Sequence, residues 1–330
     1  MTRVAPTLTS LSDIERAAER IRGTVVRTRL IDVSRQSGRP LWLKPENLQM
    51  TGAFKLRGAY NMISSLTADS RKKGVITYSS GNHGQAVAYA ARKLGVPAVV
   101  VMPLTAPDVK VTGARNFGAE VLMEGTTSIE RKVRAEHEAK VRSLVVVPPF
   151  DHPDIIAGQA TVGSEILKDC KSVNRVYVPI GGGGLASGLG AAVKQVSPGV
   201  KVIGVEPVGA ATMTASLDAG RPVTFETVSS VADGLLPVRP GDLTFAHVDA
   251  FVDAVVTVSD DAIERAVAWL FQYAKLVVEP SGAASVAAAL ARSDASLDEP
   301  TVAVISGGNI SGSALAGIIE RAGCETAGEG

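Results

Sequence analysis

The stretch RVYVPIGGGGLASG, residues 175–188, places four glycines between a β-branched run and a helical segment. In Gly181–Gly184, successive backbone N–H groups can point to one side, and the following helix adds the positive end of its dipole. The pattern therefore predicts a phosphate site at the end of a parallel strand. The spacing Gly181-x-Gly183-x-x-Ala186, with Glu206 ending the next strand, also fits a dinucleotide site, and a plain flexible turn is the third interpretation.

The rest of the chain repeats this strand-then-helix order. Ser12-Asp-Ile-Glu15 has the spacing of a capping box and predicts an N-terminal helix. One series of strands and helices runs from VITYSS (75–80) to LVVV (144–147), and a second ends with the strand TVAVIS (301–306) and a last helix. This alternation predicts an α/β fold with parallel sheets, whose ligands lie beyond the carboxyl ends of the strands.

The dipeptide Pro148-Pro149 separates the two series and suggests a division of the chain. We expect a small mobile domain at residues 70–148. The large, cofactor-binding domain is then formed by residues 1–69 and 149–330. The glycine-rich loops fall at strand ends in both parts, so we expect the functional site between them.

Charge and cysteine content exclude several classes of protein. The 330 residues carry 34 Lys and Arg against 33 Asp and Glu, so no strong net field attracts nucleic acid or an anionic membrane. No apolar run is long enough to span a membrane, and residues 1–21 lack the apolar core of a signal peptide. Cys170 and Cys324 cannot form a disulfide framework. We expect a cytoplasmic protein without nucleic-acid or membrane partners.

Lys55 distinguishes between the phosphate-containing cofactors. It lies in TGAFKLRGA, residues 51–59, where small and apolar residues surround the amine and a helical pattern follows. Most lysines are solvated surface residues. Burial, however, lowers the pKa of an amine and makes it a Schiff-base former or a proton-transfer group. A phosphate loop together with a buried lysine favours pyridoxal phosphate over a dinucleotide.

Two further loops place polar groups at strand ends. Ser79-Ser-Gly-Asn-His-Gly84 joins a strand to a helix, so its hydroxyls, amide and N–H groups can bind a small carboxylate. The alternative is an ordinary N-cap by Ser79 or Ser80, and His83 by itself is equally well explained as a structural residue. Ser306-Gly-Gly-Asn309 brings a hydroxyl to where a ring nitrogen could bind, although by itself this is only a turn.

Seven motifs in this order resemble the fold-type II pyridoxal-phosphate enzymes, in particular the serine/threonine dehydratases (threonine ammonia-lyases) and the serine racemases. The resemblance covers residues 27–317. Its motifs are KPENLQMTGAFKLRGAY (44–60), SSGNHGQAVAYAA (79–91), IAGQATVGSEI (156–166), PIGGGGLASG (179–188), ADGL (232–235), VVEPSGAA (277–284) and VISGGN (304–309). It implies a tryptophan-synthase-β-like fold: two open parallel-sheet lobes with the cofactor in the cleft between them.

The resemblance also implies roles for individual residues. Lys55 would bind the cofactor covalently and act as the catalytic base, and Ser80 would be the second catalytic residue. The implied cofactor-binding residues are Phe54, Lys55, Asn82, Gly181, Gly182, Gly183, Gly184, Leu185, Glu279 and Ser306. The implied substrate-binding residues are Ser79, Ser80, Gly81, Asn82 and His83. Some members bind a divalent cation where this chain has Glu206 and Ala210, but Thr212 replaces the aspartate of that site.

The implied reaction is β-elimination of water from L-threonine- or L-serine-like amino acids, which gives a 2-oxo acid and ammonia. One alternative is a serine or other amino-acid racemase, with Ser80 as the acid on the opposite face of Cα. Another is a dehydratase of a bulkier substrate such as phenylserine or 3-hydroxyaspartate. An NAD-dependent oxidoreductase and a cofactor-binding protein without turnover remain as alternatives from other classes.

The chain also departs from the family pattern. LLPVRPGDLTF, residues 235–245, lacks the lysine that threonine dehydratases often carry there. Phe150 and Asp151 match dehydratases better than racemases. We expect no C-terminal regulatory domain, and hence no feedback inhibition through one. The resemblance implies a homodimer that acts on a small amino-acid substrate.

Overall fold

The protein is described here by a computed structural model that covers residues 6–79, 81–106, 108–293 and 298–326. Its strands are β1 (Ile31–Asp32), β2 (Leu41–Pro45), β3 (Val75–Tyr78), β4 (Ala98–Met102), β5 (Glu120–Met123), β6 (Val145–Val146), β7 (Arg175–Pro179), β8 (Lys201–Pro207), β9 (Ala254–Val258) and β10 (Thr301–Ile305). Its helices are α1 (Leu11–Ile21), α2 (Ser34–Ser37), α3 (Lys55–Ser65), α4 (Ala68–Lys73), α5 (Asn82–Leu94), α6 (Asp108–Asn116), α7 (Ser128–Arg142), α8 (Pro153–Asp169), α9 (Gly184–Val196), α10 (Thr212–Asp218), α11 (Asp242–Phe251), α12 (Asp260–Trp269), α13 (Pro280–Ala291) and α14 (Gly312–Thr326). Within the described ranges, no helix combines the length and the apolar composition that a membrane crossing requires.

The larger sheet has six strands in the order β1-β2-β10-β7-β8-β9. β10 pairs in parallel with both β2 and β7, so Thr301 is aligned with Leu41 and Arg175. All five residues of β7 are buried, as is typical of a central parallel strand covered by helices on both faces. The predicted parallel sheet is confirmed. β1 differs, because it is antiparallel to β2 and too short to show any periodicity in the sequence.

The smaller sheet has four parallel strands in the order β5-β4-β3-β6. Val75 of β3 pairs with Ala98 of β4 and with Val145 of β6. The whole sheet comes from residues 75–146, inside the segment expected to form the small domain. The two sheets confirm the predicted fold class, whereas the division into a large and a small mobile domain stays a prediction.

Helix α3 packs where the two sheets meet. Its residues Leu56 and Ile63 belong to the same buried cluster as Val75, Val87 and Ile155, and α3 contacts both α5 and α8. Full burial of a Leu or Ile side chain contributes roughly 1.5–3 kcal/mol. Because the first residue of α3 is the predicted catalytic lysine, this packing positions that lysine between the two sheets.

Arg57, two residues after Lys55, anchors α3 through buried ion pairs. Its guanidinium binds Glu46 at 2.7 and 2.8 Å and Glu165 at 2.8 and 2.9 Å. Lys44 adds a contact to Glu165 at 2.5 Å, and both Lys44 and Arg57 are fully buried. Removing one partner of a buried ion pair costs about 3–5 kcal/mol, because the other charge stays buried. The network therefore holds the start of α3 against β2 and α8.

The start of α1 differs from the sequence prediction. Ser10 and Asp13 form the capping box, and the helix begins at Leu11. The prediction of a box between Ser12 and Glu15 is wrong. Both pairs have the required spacing, but a capping residue needs an extended backbone, and Ser10 has it with ψ of 164°.

Helix α11 has no equivalent in the sequence prediction. It follows Gly241, which provides no capping side chain. Asp151 takes that role instead, since its Oδ1 accepts hydrogen bonds from the N–H groups of Leu243 and Thr244 at 3.0 and 3.1 Å. Because the capping residue lies about 90 positions before the helix, the sequence next to α11 does not indicate where the helix begins.

Candidate active site

Most of the predicted residues come from four segments that each follow a parallel strand: Lys55 after β2, Ser79 and residues 81–83 after β3, Gly181–Gly184 after β7 and Ser306 after β10. Backbone hydrogen bonds join the first and the last of these loops. Phe54 N donates to Ser306 O at 3.0 Å, and Gly308 N donates to Gly52 O at 2.9 Å. The Ser306 hydroxyl, expected near a ring nitrogen, donates to Ser281 O at 3.2 Å. The lysine loop and the serine loop are thus held together by the main chain itself.

Lys55 begins α3, and its side chain is half-buried. Its Nζ donates a hydrogen bond to Pro149 O at 2.8 Å and lies 5.1 Å from the centre of the Phe54 ring. Burial lowers the pKa of Lys55 to about 8, because the charged amine loses hydration. A much larger share of this amine is therefore uncharged near neutral pH than in a solvated lysine. The uncharged form is the one that acts as a nucleophile or a base.

The Gly181–Gly184 loop needs glycine for identifiable reasons. Gly183 has a φ of +92°, and a Cβ at Gly182 would lie 2.2 Å from the ring of Phe150. α9 begins with Gly184 and Leu185, and its first turn is buried without a capping side chain. Such a helix end offers unsatisfied N–H donors and the positive end of the helix dipole. The loop therefore fits a phosphate or a similar anion.

Residues 79–83 lead into α5. Ser79 Oγ accepts a hydrogen bond from Gly81 N at 3.2 Å, and Gly81 is the N-cap of α5 without a capping side chain. The alternative in which Ser79 is an ordinary N-cap is therefore wrong. Ser80, predicted as a catalytic and substrate-binding residue, lies outside the described residues. A helix N-terminus without a side-chain cap suits the carboxylate of an amino acid.

His83 is buried close to Lys55. Its Nε2 lies 3.1 Å from Val147 O, and Nδ1 has no hydrogen-bond partner in the described part of the chain. Burial and the positive charge of Lys55 lower the pKa of His83 to about 3, so the imidazole is neutral. Since a carbonyl only accepts, we assign the proton to Nε2, which leaves Nδ1 as an acceptor. An acceptor does not favour a direct bond to a carboxylate, the role expected for His83.

Asn82 links the two sides of the cleft. Its Nδ2 donates to Glu279 Oε1 at 2.6 Å, and its Oδ1 accepts from Asn309 Nδ2 at 2.9 Å. Glu279 is buried, and burial together with the negative charge of Asp233 raises its pKa to about 7, against the opposing effect of the Asn82 hydrogen bond. A much larger share of this carboxyl group is therefore protonated near neutral pH than in a solvated glutamate.

Two residues of the cleft, Lys110 and Asn309, have no predicted role. Lys110 Nζ forms an ion pair with Asp233 Oδ2 at 2.7 Å, and only 13% of the Lys110 side chain is exposed. The same Nζ lies 3.2 Å from where a Cβ would stand on Gly81. Lys110 lies in a polar helix without any motif, so the sequence carries no signal for it. Asp233 and Asn309 belong to the ADGL and VISGGN motifs, where a signal was present.

Glu206 and Ala210 do not fit a divalent cation. The Glu206 carboxylate is buried and already accepts hydrogen bonds from Met213 N at 2.7 Å and from Thr214 N and Oγ1 at 2.9 and 2.7 Å. Its oxygens therefore face the N-terminus of α10. Among the described residues, no group of three His, Cys, Asp or Glu side chains could hold a metal ion. The same contacts leave no oxygen of Glu206 directed at a ribose, as the dinucleotide interpretation requires.

The cleft does fit pyridoxal phosphate. The phosphate needs an anion site, which the uncapped and buried N-terminus of α9 provides. The aldehyde needs an uncharged amine, which Lys55 provides. The ring needs polar partners at its edge, and Asn82 and Ser306 are available in the two loops beside the lysine.

The chain is similar to proteins of known function. The profile of the family described as pyridoxal-phosphate dependent enzymes matches residues 21–308. The L-threonine ammonia-lyase of Thermotoga maritima is 44% identical over 315 residues, which cover 94% of this chain and 78% of that protein. The processed form of threonine deaminase isoform 2 from Solanum lycopersicum superposes with a TM-score of 0.87 at 36% identity and covers 97% of both chains. Maize serine racemase has a TM-score of 0.90 at 33% identity and covers 97% of this chain and 100% of its own.

These matches confirm the resemblance that the sequence motifs indicate. They agree with the two parallel sheets and with the loops at the carboxyl ends of their strands. The chain belongs to the family of pyridoxal-phosphate dependent enzymes, with the fold of its type II members.

Proposed function

We propose that this protein is a pyridoxal-phosphate dependent ammonia-lyase. It eliminates water from L-threonine- or L-serine-like β-hydroxy amino acids and releases a 2-oxo acid and ammonia. The observation that carries the proposal is the half-buried amine of Lys55, whose pKa of about 8 suits a group that both gives and takes a proton. The 44% identity to an L-threonine ammonia-lyase supports the same reaction class.

The binding groups follow from the helix ends. The N-terminus of α9, at Gly184 and Leu185, holds the phosphate of the cofactor. The N-terminus of α5, with Ser79 and Gly81, holds the substrate carboxylate. His83 is neutral and adds no positive charge beside Lys55, so burial is what lowers the pKa of the Lys55 amine. With the cofactor and the carboxylate held in this way, the Cα of the substrate would lie near the lysine amine.

Lys55 performs the proton transfers. Pyridoxal phosphate, when bound, supplies an electron sink for the Cα of the amino acid. The uncharged amine of Lys55 takes the proton from Cα, and the resulting ammonium can give a proton to the departing β-hydroxyl, which leaves as water. The released enamine takes up one water and yields the 2-oxo acid and ammonia. The net change is therefore the loss of ammonia from the amino acid.

Racemisation is the second candidate function, because maize serine racemase superposes with a TM-score of 0.90. A racemase needs an acid on the face of Cα opposite the lysine, and Ser80 is the residue we propose for it.

The test uses the purified protein loaded with pyridoxal phosphate. L-threonine and L-serine are added separately, and both the 2-oxo acid and the D-amino acid are measured over time. We expect 2-oxo acid to accumulate faster than D-amino acid. Accumulation of the D-amino acid alone would establish racemisation, and the absence of both products would reject the proposal.

The cytoplasmic location and the homodimer stay predictions.

A further inference from the structure

Asn309 makes two hydrogen bonds from one nitrogen atom. Its Nδ2 donates to Thr51 O at 2.9 Å and to Asn82 Oδ1 at 2.9 Å. Thr51 lies in the loop that leads to Lys55, and Asn82 begins α5 on the opposite side of the cleft. Asn309 therefore connects the lysine loop to the helix that carries the predicted cofactor-binding amide.

The chemistry of these partners determines which way the amides face. A side-chain amide has a donor end and an acceptor end, whereas a backbone carbonyl can only accept. Thr51 O therefore requires the NH2 end of Asn309. The NH2 group of Asn309 also donates to Asn82, so the side-chain oxygen of Asn82 must face Asn309. The NH2 group of Asn82 then faces Glu279, whose Oε1 accepts from it at 2.6 Å. The carbonyl group of Thr51 therefore fixes the orientation of both side-chain amides, Asn309 and Asn82.

The backbone leaves room for this arrangement at two glycines. Gly52 has a φ of +71°, and a Cβ there would lie 2.2 Å from Asn309 Oδ1. A Cβ at Gly307 would lie 2.2 Å from Glu279 Oε1 and 3.1 Å from Asn82 Nδ2. Larger residues at either position would displace the amide contacts, so the network depends on glycine at both positions.

We propose that Asn309 is a positioning residue that locks the side-chain amide of Asn82 with its NH2 end facing the cofactor. The inference rests on the proposed function and on the cofactor-binding role that the family resemblance implies for Asn82, which is a hydrogen bond to the phenolic oxygen of pyridoxal phosphate. The Asn82 nitrogen carries two hydrogens, and one goes to Glu279. The other is then available to the cofactor. A flipped Asn82 would instead present its oxygen to the cofactor oxygen, and two acceptors repel each other.

The test compares two substitutions of Asn309. Asn309→Asp keeps the size but removes both donated hydrogen bonds and places a carboxylate against Asn82 Oδ1, which drives the flip. Asn309→Ala removes the lock without enforcing the flip. We expect the dissociation constant of pyridoxal phosphate to rise by about tenfold or more in the Asp variant, and by less in the Ala variant.

The spectroscopic signature separates positioning from a merely structural role. A donated hydrogen bond favours the ionised cofactor oxygen. Therefore the pH at which the visible absorbance of the Lys55-bound cofactor changes should shift upward in Asn309→Asp. The matched control is Asn47→Asp, because Asn47 donates to Val277 O at 3.1 Å at the same edge of the sheet and forms no described contact with Asn82. We expect the control to leave both readouts unchanged.

The outcomes distinguish the two proposals. If Asn309→Asp, or the Ala variant where the Asp variant does not fold, binds the cofactor with the affinity and the absorbance transition of the Asn47 control, the positioning role is overturned. If the wild-type protein binds pyridoxal phosphate but forms no 2-oxo acid, the proposed function fails. The cofactor affinity and the absorbance transition still test the positioning role of Asn309 in that case. If the wild-type protein binds no pyridoxal phosphate, both proposals fail.

Discussion

The two sides of the cleft are built in different ways. The lysine side comprises residues 51–55, 181–184 and 306–309, and backbone hydrogen bonds connect its first and last segments, such as that from Phe54 N to Ser306 O at 3.0 Å. The α5 side comprises Ser79, residues 81–83 and Lys110. Among the described residues, its hydrogen bond to the lysine side is made by side chains, since Asn82 Oδ1 accepts from Asn309 Nδ2 at 2.9 Å. Side chains also make the nearby contacts of Asn82 with Glu279 and of Lys110 with Asp233.

This difference in contacts coincides with a difference in proposed role between the two sides of the cleft. The lysine side carries the residues proposed to hold the cofactor, and main-chain contacts keep that geometry in place without help from a ligand. The α5 side carries the proposed carboxylate site. Its core packs on α3 in a buried cluster, but its polar contacts across the cleft are made by side chains. Partly exposed side-chain contacts contribute little free energy and are readily rearranged. We therefore expect substitutions on the lysine side to have larger effects than those on the α5 side.

The largest expected effect is that of Lys55→Ala. Removing the amine removes both the covalent attachment of the cofactor and the base, so formation of 2-oxo acid should fall by more than about 1000-fold. The fold should survive, because the substitution relieves the burial of a charged amine. Activity and far-UV circular dichroism would be measured beside Lys140→Ala, an exposed lysine on α7. Retained activity in Lys55→Ala would reject the mechanism.

Gly183→Ala should distort the preformed lysine side. The residue has a φ of +92°, and its new Cβ would lie 2.9 Å from both Met213 Cε and Thr244 Cβ. We expect a loss of about 1–3 kcal/mol in the free energy of unfolding, measured in urea on the cofactor-free protein. The control is Gly199→Ala, where a Cβ would meet nothing within 4 Å. Equal stability of the two variants would show that position 183 does not require glycine.

Lys110→Met tests the side-chain closure of the cleft. Loss of the 2.7 Å contact to Asp233 should loosen α6 and raise KM for the amino acid by about two- to fivefold, with a smaller change in kcat. Stability should change by less than about 1 kcal/mol, because Asp233 is half-exposed. Lys132→Met is the control, since its exposed pair with Glu136 at 3.8 Å lies away from the cleft. Identical KM values for both variants would show that the pair plays no part in closure.

The smallest effect is a pH dependence of the wild-type protein. The uncharged amine of Lys55 is the form that combines with pyridoxal phosphate, and its pKa is about 8 rather than 10.5. The rate at which the cofactor-free protein takes up the cofactor should therefore rise with pH and level off above about 8. Rapid-mixing absorbance measures this rate. A rate that still climbs steeply well above this pH would mean that the amine is solvated.

Local patterns in the sequence indicate much of this structure. Helix α5 runs from Asn82 to Leu94, and its alanine-rich apolar face repeats with the helical period, so the helix can be recognised from the sequence. The β-branched run of β7 identifies a buried strand, and the glycines after it identify an anion site. The motif around Lys55 identifies the reactive amine. Each of these signals depends on neighbours within a few residues, which is why it can be read without a structure.

The contacts between distant segments were decided by the tertiary structure alone. Asp151 caps α11, Asn309 orients Asn82, and Lys110 reaches Asp233, yet the two partners in each case lie far apart in the chain. Hydrogen bonds and ion pairs of this kind form only after the sheets have brought their loops together, so no local periodicity encodes them. The sequence by itself determined the fold class, the cofactor family and the reactive lysine. Tertiary packing determined the pKa of that lysine and the orientation of the amide opposite it, because both depend on which groups surround them in space.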